Sequence, residues 1–195
     1  KRNNKLTATI IGKRESGITI EIIGVDNDPP TIVAALAPSP NDAGWNKTNV
    51  TVGFQCSDKT SGIASCPDSV LVMTEGAGQV ITGRATDKAG NTATTSVAVN
   101  LDKTPPSVAV TQPPNGAFLQ DPSVIVQGTA NDSFSGVAAV TCNGTPASLS
   151  NSSFTCNVSL VIGENILQTV ATDVAGNVGY SIISVAFLPP ALELA

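Results

Sequence analysis

Along most of the chain, apolar and polar residues alternate with a period of two. Val50, Val52, Phe54 and Cys56 fall on one side of the stretch 49–56, with Thr51, Gly53 and Gln55 between them. This is the period of a strand with one buried face. The same alternation appears at Ile18, Ile20 and Ile22, at Val97, Val99 and Leu101, and at Ile183, Val185 and Phe187. Strands are predicted over 6–11, 18–23, 31–36, 49–56, 70–73, 80–82, 94–101, 107–110, 124–128, 140–144 and 154–158. Two more are predicted around Leu167–Ala171 and Ile183–Phe187. The runs 140–144 and 154–158 are expected to pair as a hairpin.

Between the last two strands of each half lies the same heptapeptide. Ala85-Thr86-Asp87-Lys88-Ala89-Gly90-Asn91 returns 86 residues later as Ala171-Thr172-Asp173-Val174-Ala175-Gly176-Asn177. Asp87 and Asp173 are placed to accept bonds from backbone N–H groups just ahead, as in an Asx-turn. Gly90 and Gly176 supply positive φ. Asn91 and Asn177 are expected in the left-handed region, opening the next strand. A second motif also repeats: Asp58-Lys59-Thr60-Ser61-Gly62-Ile63 corresponds to Asp132-Ser133-Phe134-Ser135-Gly136-Val137, 74 residues on. Two separate motifs recurring in one order identify an internal duplication.

Proline pairs punctuate the chain at Pro29-Pro30, Pro105-Pro106 and Pro189-Pro190. Proline cannot donate to a ladder and restricts the residue before it, so these are short, stiff junctions. The division that follows is a closing β-hairpin of a preceding domain over 1–28 and one domain over 29–103. A second domain covers 104–188, and a linker to a further segment covers 189–195. A lone hairpin is marginal in water, so the strands of 1–28 are expected to be completed by missing strands, a neighbouring domain or another chain. The chain reads as a piece of a longer secreted protein.

Composition narrows the picture. Apolar residues make up 41% but aromatics only 4%, so cores must be built from Val, Ile, Leu and Ala. Charged residues amount to 13% with a net charge of −5, which offers no basic patch for a phosphate backbone. No apolar run reaches the roughly 18 residues needed to span a bilayer. Cys56, Cys66, Cys142 and Cys156 fall two per repeat, and pairing within repeats is the simplest of the three connectivities that four cysteines allow. A zinc site is the rival reading, but the chain has no His and no Cys-x-x-Cys. Two disulfides imply an oxidising compartment.

With these residues in view, the chain resembles the immunoglobulin-like repeats of large secreted and surface proteins of bacteria. The resemblance rests on Ala-Thr-Asp-x-Ala-Gly-Asn, a final strand and then Thr104-Pro105-Pro106. The second repeat is similar to the immunoglobulin-like B domain of glucodextranases. There the likeness runs through Gly128-Thr129-Ala130-Asn131-Asp132, Ser135-Gly136-Val137, Val140-Thr141-Cys142-Asn143-Gly144 and Gly163-Glu164-Asn165. The cysteines depart from the usual cysteine-free pattern of such modules. The resemblance implies an all-β fold of two tandem antiparallel sandwiches. It leaves function open, because one module serves as stalk, spacer or filament subunit.

The candidate chemistry is sparse. Without His, no Ser-His-Asp or Cys-His site can be built. Asp58, Asp87, Asp132 and Asp173 sit in short turns rather than across a cleft, so the structural reading outweighs a glycosidase pair. No catalytic, cofactor-binding or metal residues are assigned. Calcium is the weaker alternative at Asp26, Asn27 and Asp28, at Asp102, and at Asp87 and Asp173, with Lys88 and Lys103 beside two of them. Trp45 and Tyr180 are the only large amphipathic aromatics, and Trp45 reads as a core plug sooner than a sugar platform. The sequons at Asn49 and Asn143 are what an Asn/Ser/Thr-rich chain produces by chance. No strand-interior Lys in the two repeats invites an isopeptide bond.

The expected function is a non-catalytic extracellular module: a spacer, stalk, adhesive element or assembly subunit of a bacterial surface structure. The alternative is a carbohydrate-associated accessory module of a large secreted hydrolase. Expected partners are further copies of the chain or neighbouring domains, with glycans behind them and neither nucleic acid nor membrane. For an adhesive role, residues 143–153 form the candidate binding loop.

Overall fold

The computed structural model describes the backbone of residues 7–14 and 17–23, and residues 25–190 in full. Seventeen strands and no helix occur among the described residues, and the fold is an all-β sandwich of the immunoglobulin-like class. By contact the chain divides into two compact units. One comprises Lys1–Ala37, Thr51–Val72 and Val80–Ala98, the other Pro38–Val50, Met73–Gln79 and Val99–Ala195.

Strands β1 (Thr7–Arg14) and β2 (Gly17–Ile23) form an antiparallel two-stranded sheet with an irregularity between Ile10 and Lys13. The first strand therefore runs to Arg14, past the end predicted at residue 11. The predicted apolar face at Ile18, Ile20 and Ile22 lies outside the residues whose side chains are described.

The first repeat supplies β3 (Thr31–Ala37), β4 (Val50–Ser57), β5 (Ile63–Ser65), β6 (Val70–Val72), β7 (Gly76–Asp87) and β8 (Thr92–Leu101). They make two three-stranded sheets, ordered β3-β4-β6 and β5-β7-β8. Val50 and Val52 on β4, and Val99 and Leu101 on β8, are wholly buried, as the alternation requires.

The second repeat supplies β9 (Ser107–Gln112), β10 (Ala117–Leu119), β11 (Ser123–Asn131), β12 (Val137–Cys142) and β13 (Thr145–Pro146). It continues with β14 (Ser148–Ser150), β15 (Ser153–Ser159), β16 (Gly163–Asp173) and β17 (Val178–Phe187). These form a five-stranded sheet, β10-β17-β16-β12-β13, and a four-stranded one, β14-β15-β11-β9. Their core holds Val126, Val140, Phe154, Val158, Leu167, Val185 and Phe187. Gly128 lies opposite Phe154 in the β11–β15 register. A Cβ there would come 2.1 Å from the Ala109 carbonyl oxygen and 2.6 Å from the Phe154 ring.

One expected pairing is corrected. Residues 140–144 and 154–158 are not hairpin partners: β12 pairs with β16 and β13, and β15 pairs with β11 and β14. The short strands β13 and β14 carry the chain from one sheet to the other. Both cysteine pairs form as expected, with Cα–Cα distances of 5.9 Å for Cys56–Cys66 and 6.3 Å for Cys142–Cys156. Cys142–Cys156 thus ties the two sheets together instead of stapling a hairpin, and Cys56–Cys66 joins β4 to the segment just after β5.

Candidate functional site

Each repeated heptapeptide folds as a turn around its aspartate. Asp87 N–H donates to Asn91 O at 3.0 Å, and Asp173 N–H to Asn177 O at 3.1 Å. Asp87 Oδ1 accepts from Asn91 N–H at 2.8 Å. Asp173 Oδ1 accepts from Gly176 and Asn177 N–H at 2.6 and 2.8 Å. Gly90 and Gly176 hold φ of 93° and 92°, where a Cβ would be strained. Asn91 and Asn177 depart from expectation, since neither has positive φ. Their side-chain amides instead donate to Asp87 and Asp173 Oδ2, each at 2.8 Å.

The second repeated motif is a loop closed over its own aspartate. Asp58 Oδ1 accepts from Thr60, Ser61 and Gly62 N–H at 3.1, 2.9 and 2.8 Å. Asp132 Oδ1 accepts from Phe134 and Gly136 N–H at 3.1 and 2.7 Å. Loop and turn then meet: Lys88 N–H donates to Gly62 O at 2.9 Å and Val174 N–H to Gly136 O at 3.0 Å.

A third aspartate, from the segment before each proline pair, completes the arrangement. Asp26 Oδ2 accepts from Ser61 N–H at 3.1 Å, and the Asp26 carbonyl accepts from Asn91 Nδ2 at 3.1 Å. Asp102 reproduces this with Ser135 N–H at 3.0 Å and Asn177 Nδ2 at 2.9 Å. The result is two triads, Asp26/Asp58/Asp87 and Asp102/Asp132/Asp173. In each, one carboxylate oxygen per residue lies within 4.8 Å of the others.

The electrostatics of these triads are unusual. Asp87, Asp102 and Asp173 are almost fully buried, at 1%, 0% and 2% exposure. Carboxylate oxygens this close, within 4.8 Å of one another, are held together by the backbone and amide donors that surround them. Among the described residues none of the six forms an ion pair with a Lys or Arg. Hydrogen bonding from the Ser61 hydroxyl, helped by the Asp28 and Ser61 N–H groups and opposed by burial, holds the Asp26 carboxyl below its ordinary value. It is therefore charged at neutral pH.

The sequence signalled parts of this. Asp26, Asp87, Asp102 and Asp173 are calcium candidates from the sequence, whereas Asp58 and Asp132 read there only as turn formers. Asn27 and Asp28 are exposed and stand outside the triads. Lys103, next to Asp102 in the sequence, sends Nζ to the Met73 carbonyl at 2.7 Å and Asn49 Oδ1 at 3.2 Å. The available signal was the recurrence of three aspartates, not two, in the same order in each repeat. The donor set is oxygen only, with no imidazole in the chain and all four thiols in disulfides, which suits a hard cation.

Other candidates are weaker. Trp45 is half-buried, and its backbone N–H donates to Asn41 Oδ1 at 2.9 Å. Tyr180 and Phe118 are exposed on the outer face of the five-stranded sheet. Phe118 pairs with Ala186, six residues along β17 from Tyr180, so about 20 Å separates them and they form no continuous platform. The predicted loop 143–153 is structured by β13, β14 and Asn143, whose side chain bonds Ile166 O and Gln168 N–H at 3.0 and 2.7 Å. Beside it lies a shallow groove of about 430 Å³ with Thr111, Thr129, Ser148, Ser150 and Ser153 in its wall.

Residues 106–187 match the family described as glucodextranase, domain B, which is less than half of the chain. Bacillopeptidase F of Bacillus subtilis (strain 168) is 25% identical over 107 residues, covering 55% of this chain and 7% of that protein's length. Among solved structures, the fibronectin(III)-like modules of Clostridium thermocellum CbhA show 15% identity and a TM-score of 0.42, covering 85% of this chain and 98% of theirs. Murine CEACAM1b shows 15% identity and a TM-score of 0.42, covering 81% of this chain and all of that one. SGBP-B of the Bacteroides ovatus mixed-linkage glucan utilization locus, solved in complex with a mixed-linkage heptasaccharide, shows 13% identity and a TM-score of 0.25 over 83% of this chain and 48% of its own. The chain carries immunoglobulin-like repeats, the second of which resembles glucodextranase domain B.

Proposed function

We propose that the chain is a non-catalytic structural module of an extracellular protein, built of two tandem domains over 29–103 and 104–188 that space or assemble a surface structure. The observation that carries this reading is the way each repeat grips the chain entering it. Asp26 is bonded to Ser61 and Asn91, and Asp102 to Ser135 and Asn177, by the same groups in the same geometry. Such a joint suits a part that transmits orientation or load, and the turns that would otherwise carry loop-borne function are occupied in making it. Two disulfides fit an oxidising compartment. Negative-stain electron microscopy of the native full-length protein tests the proposal. Thin jointed rods identify a spacer and ordered filaments or sheets an assembly subunit, whereas a compact particle with the repeats packed around a larger domain overturns it.

A second reading is an accessory module of a secreted hydrolase. The likeness of residues 106–187 to glucodextranase domain B and the weaker likeness to Bacillopeptidase F favour it. Affinity electrophoresis through gels containing soluble polysaccharides is the test. Retardation of the chain supports a glycan-contacting role, and unchanged mobility in every gel counts against it.

A further inference from the structure

The two repeats carry different residues on the same outward face. In the second repeat, β16 and β17 pair so that Val170 lies opposite Tyr180, Gln168 opposite Ile182 and Ile166 opposite Ser184. Leu167, Thr169, Ala171 and Val185 of these strands are buried, so the alternate positions point away from the core. There Ile166, Val178, Tyr180 and Ile182 are between 51% and 69% exposed. The spacing of 86 that relates the two heptapeptides carries these positions onto β7 and β8 of the first repeat. Val178, Tyr180 and Ile182 correspond to Thr92, Thr94 and Ser96, all exposed, and Val170 corresponds to Arg84. Gln168 corresponds to Thr82, whose hydroxyl meets that of Ser96 at 2.8 Å. The strand pair therefore forms with a polar outer face in one repeat, and nothing in its pairing requires the apolar face of the other.

We propose that this apolar face of the second repeat is where two copies of the chain meet, sheet against sheet, about a two-fold axis. A two-fold interface needs a surface that complements itself, and an apolar strip laid on its own copy does so. Charge permits the approach although the chain carries a net −5. Among the outward positions of β16 and β17 only Glu164, at one end, is charged. Size fits as well. β16 runs eleven residues and β17 ten, with β12 and β10 on either side. At about 3.3 Å per residue and about 4.8 Å between strands, the face spans about 500 Å². Two copies would together cover about 1,000 Å², the lower limit of specific interfaces and the class of weak, reversible association. The corresponding face of the first repeat, with Arg84, Thr92, Thr94 and Ser96, offers no such surface. The inference stands apart from the spacer and accessory readings, since neither requires a dimer.

The test is sedimentation velocity of the whole chain at increasing concentration. An interface of this class should associate reversibly, with a dissociation constant of about 10–100 µM. Val178→Thr, Tyr180→Thr and Ile182→Ser, made together, give the face the residues that the first repeat carries at the same positions. They should raise that constant about tenfold or more. Val80→Thr, at an exposed position of the first repeat, should leave it unchanged. A chain that stays monomeric up to about ten times the expected constant overturns the proposal, as does association that survives unaltered in the combined variant. Should that variant fail to fold, as circular dichroism would reveal, the methyl resonances of the wild-type chain followed on dilution decide. Shifts centred on Ile166, Val178 and Ile182 support the face-to-face dimer. Shifts at Val33 or Val80 instead overturn it, as do shifts of the face that arise only on adding soluble dextran, which would give the surface to a polysaccharide.

Discussion

Asn177 shows how much one side chain can hold in place. Its amide donates to Asp173 Oδ2 within the turn and to the Asp102 carbonyl from the preceding segment. Asn177→Ala would leave two buried acceptors short of a donor, so about 1–3 kcal/mol of stability should be lost, read as a lower urea midpoint in the presence of EDTA. Asn91→Ala should act in the same way through Asp87 and the Asp26 carbonyl. Gly128→Ala tests packing instead of polarity. The added Cβ meets a backbone carbonyl that cannot rotate away, so a loss of about 1–3 kcal/mol, and more if the ladder breaks, is expected in the same assay. The sequence made the aspartates legible as turn formers because an Asx-turn is local. It misplaced the asparagines because their partners, Asp26 and Asp102, lie 65 and 75 residues away.

Among the elements, the strands themselves were the most legible part, since a period of two with β-branched residues leaves little competition. Partners were less so. The stretch from Val140 to Val158 reads as a hairpin by proximity, yet β12 and β15 belong to different sheets, because β13 and β14 use the intervening residues to cross over. The consequence falls on the disulfide, which joins one sheet to the other and closes a loop of 14 residues. The chain-entropy account puts such a bridge at about 3 kcal/mol. Cys142→Ala with Cys156→Ala should therefore lower the unfolding midpoint markedly. Reduction with dithiothreitol should lower the wild-type midpoint at least as far and leave that of a chain with all four cysteines replaced unchanged, both read by thermal melts.

For the whole molecule, the core of the second repeat draws every member from between Val108 and Phe187. A fragment covering 102–190 is accordingly expected to fold alone, with dispersed amide resonances in a proton–nitrogen correlation spectrum. The duplication and the class of fold were readable from two recurring motifs. The convergence of three aspartates was not, since successive members of each triad are separated by 29 to 41 positions, and only the packed sheets bring them to one place.

The grip on Asp102 also decides where one repeat ends and the next begins. The proline pair looks like the seam, but the aspartate ahead of it is bonded to the domain that follows. A fragment starting at Thr104 would keep every strand of that domain yet lose the acceptor of Ser135 N–H and one of the two acceptors of Asn177 Nδ2. It should melt below the fragment starting at Asp102. The cassette that can be copied, moved or spliced in register therefore opens on its aspartate, and each new copy arrives already carrying the latch for its own doorway.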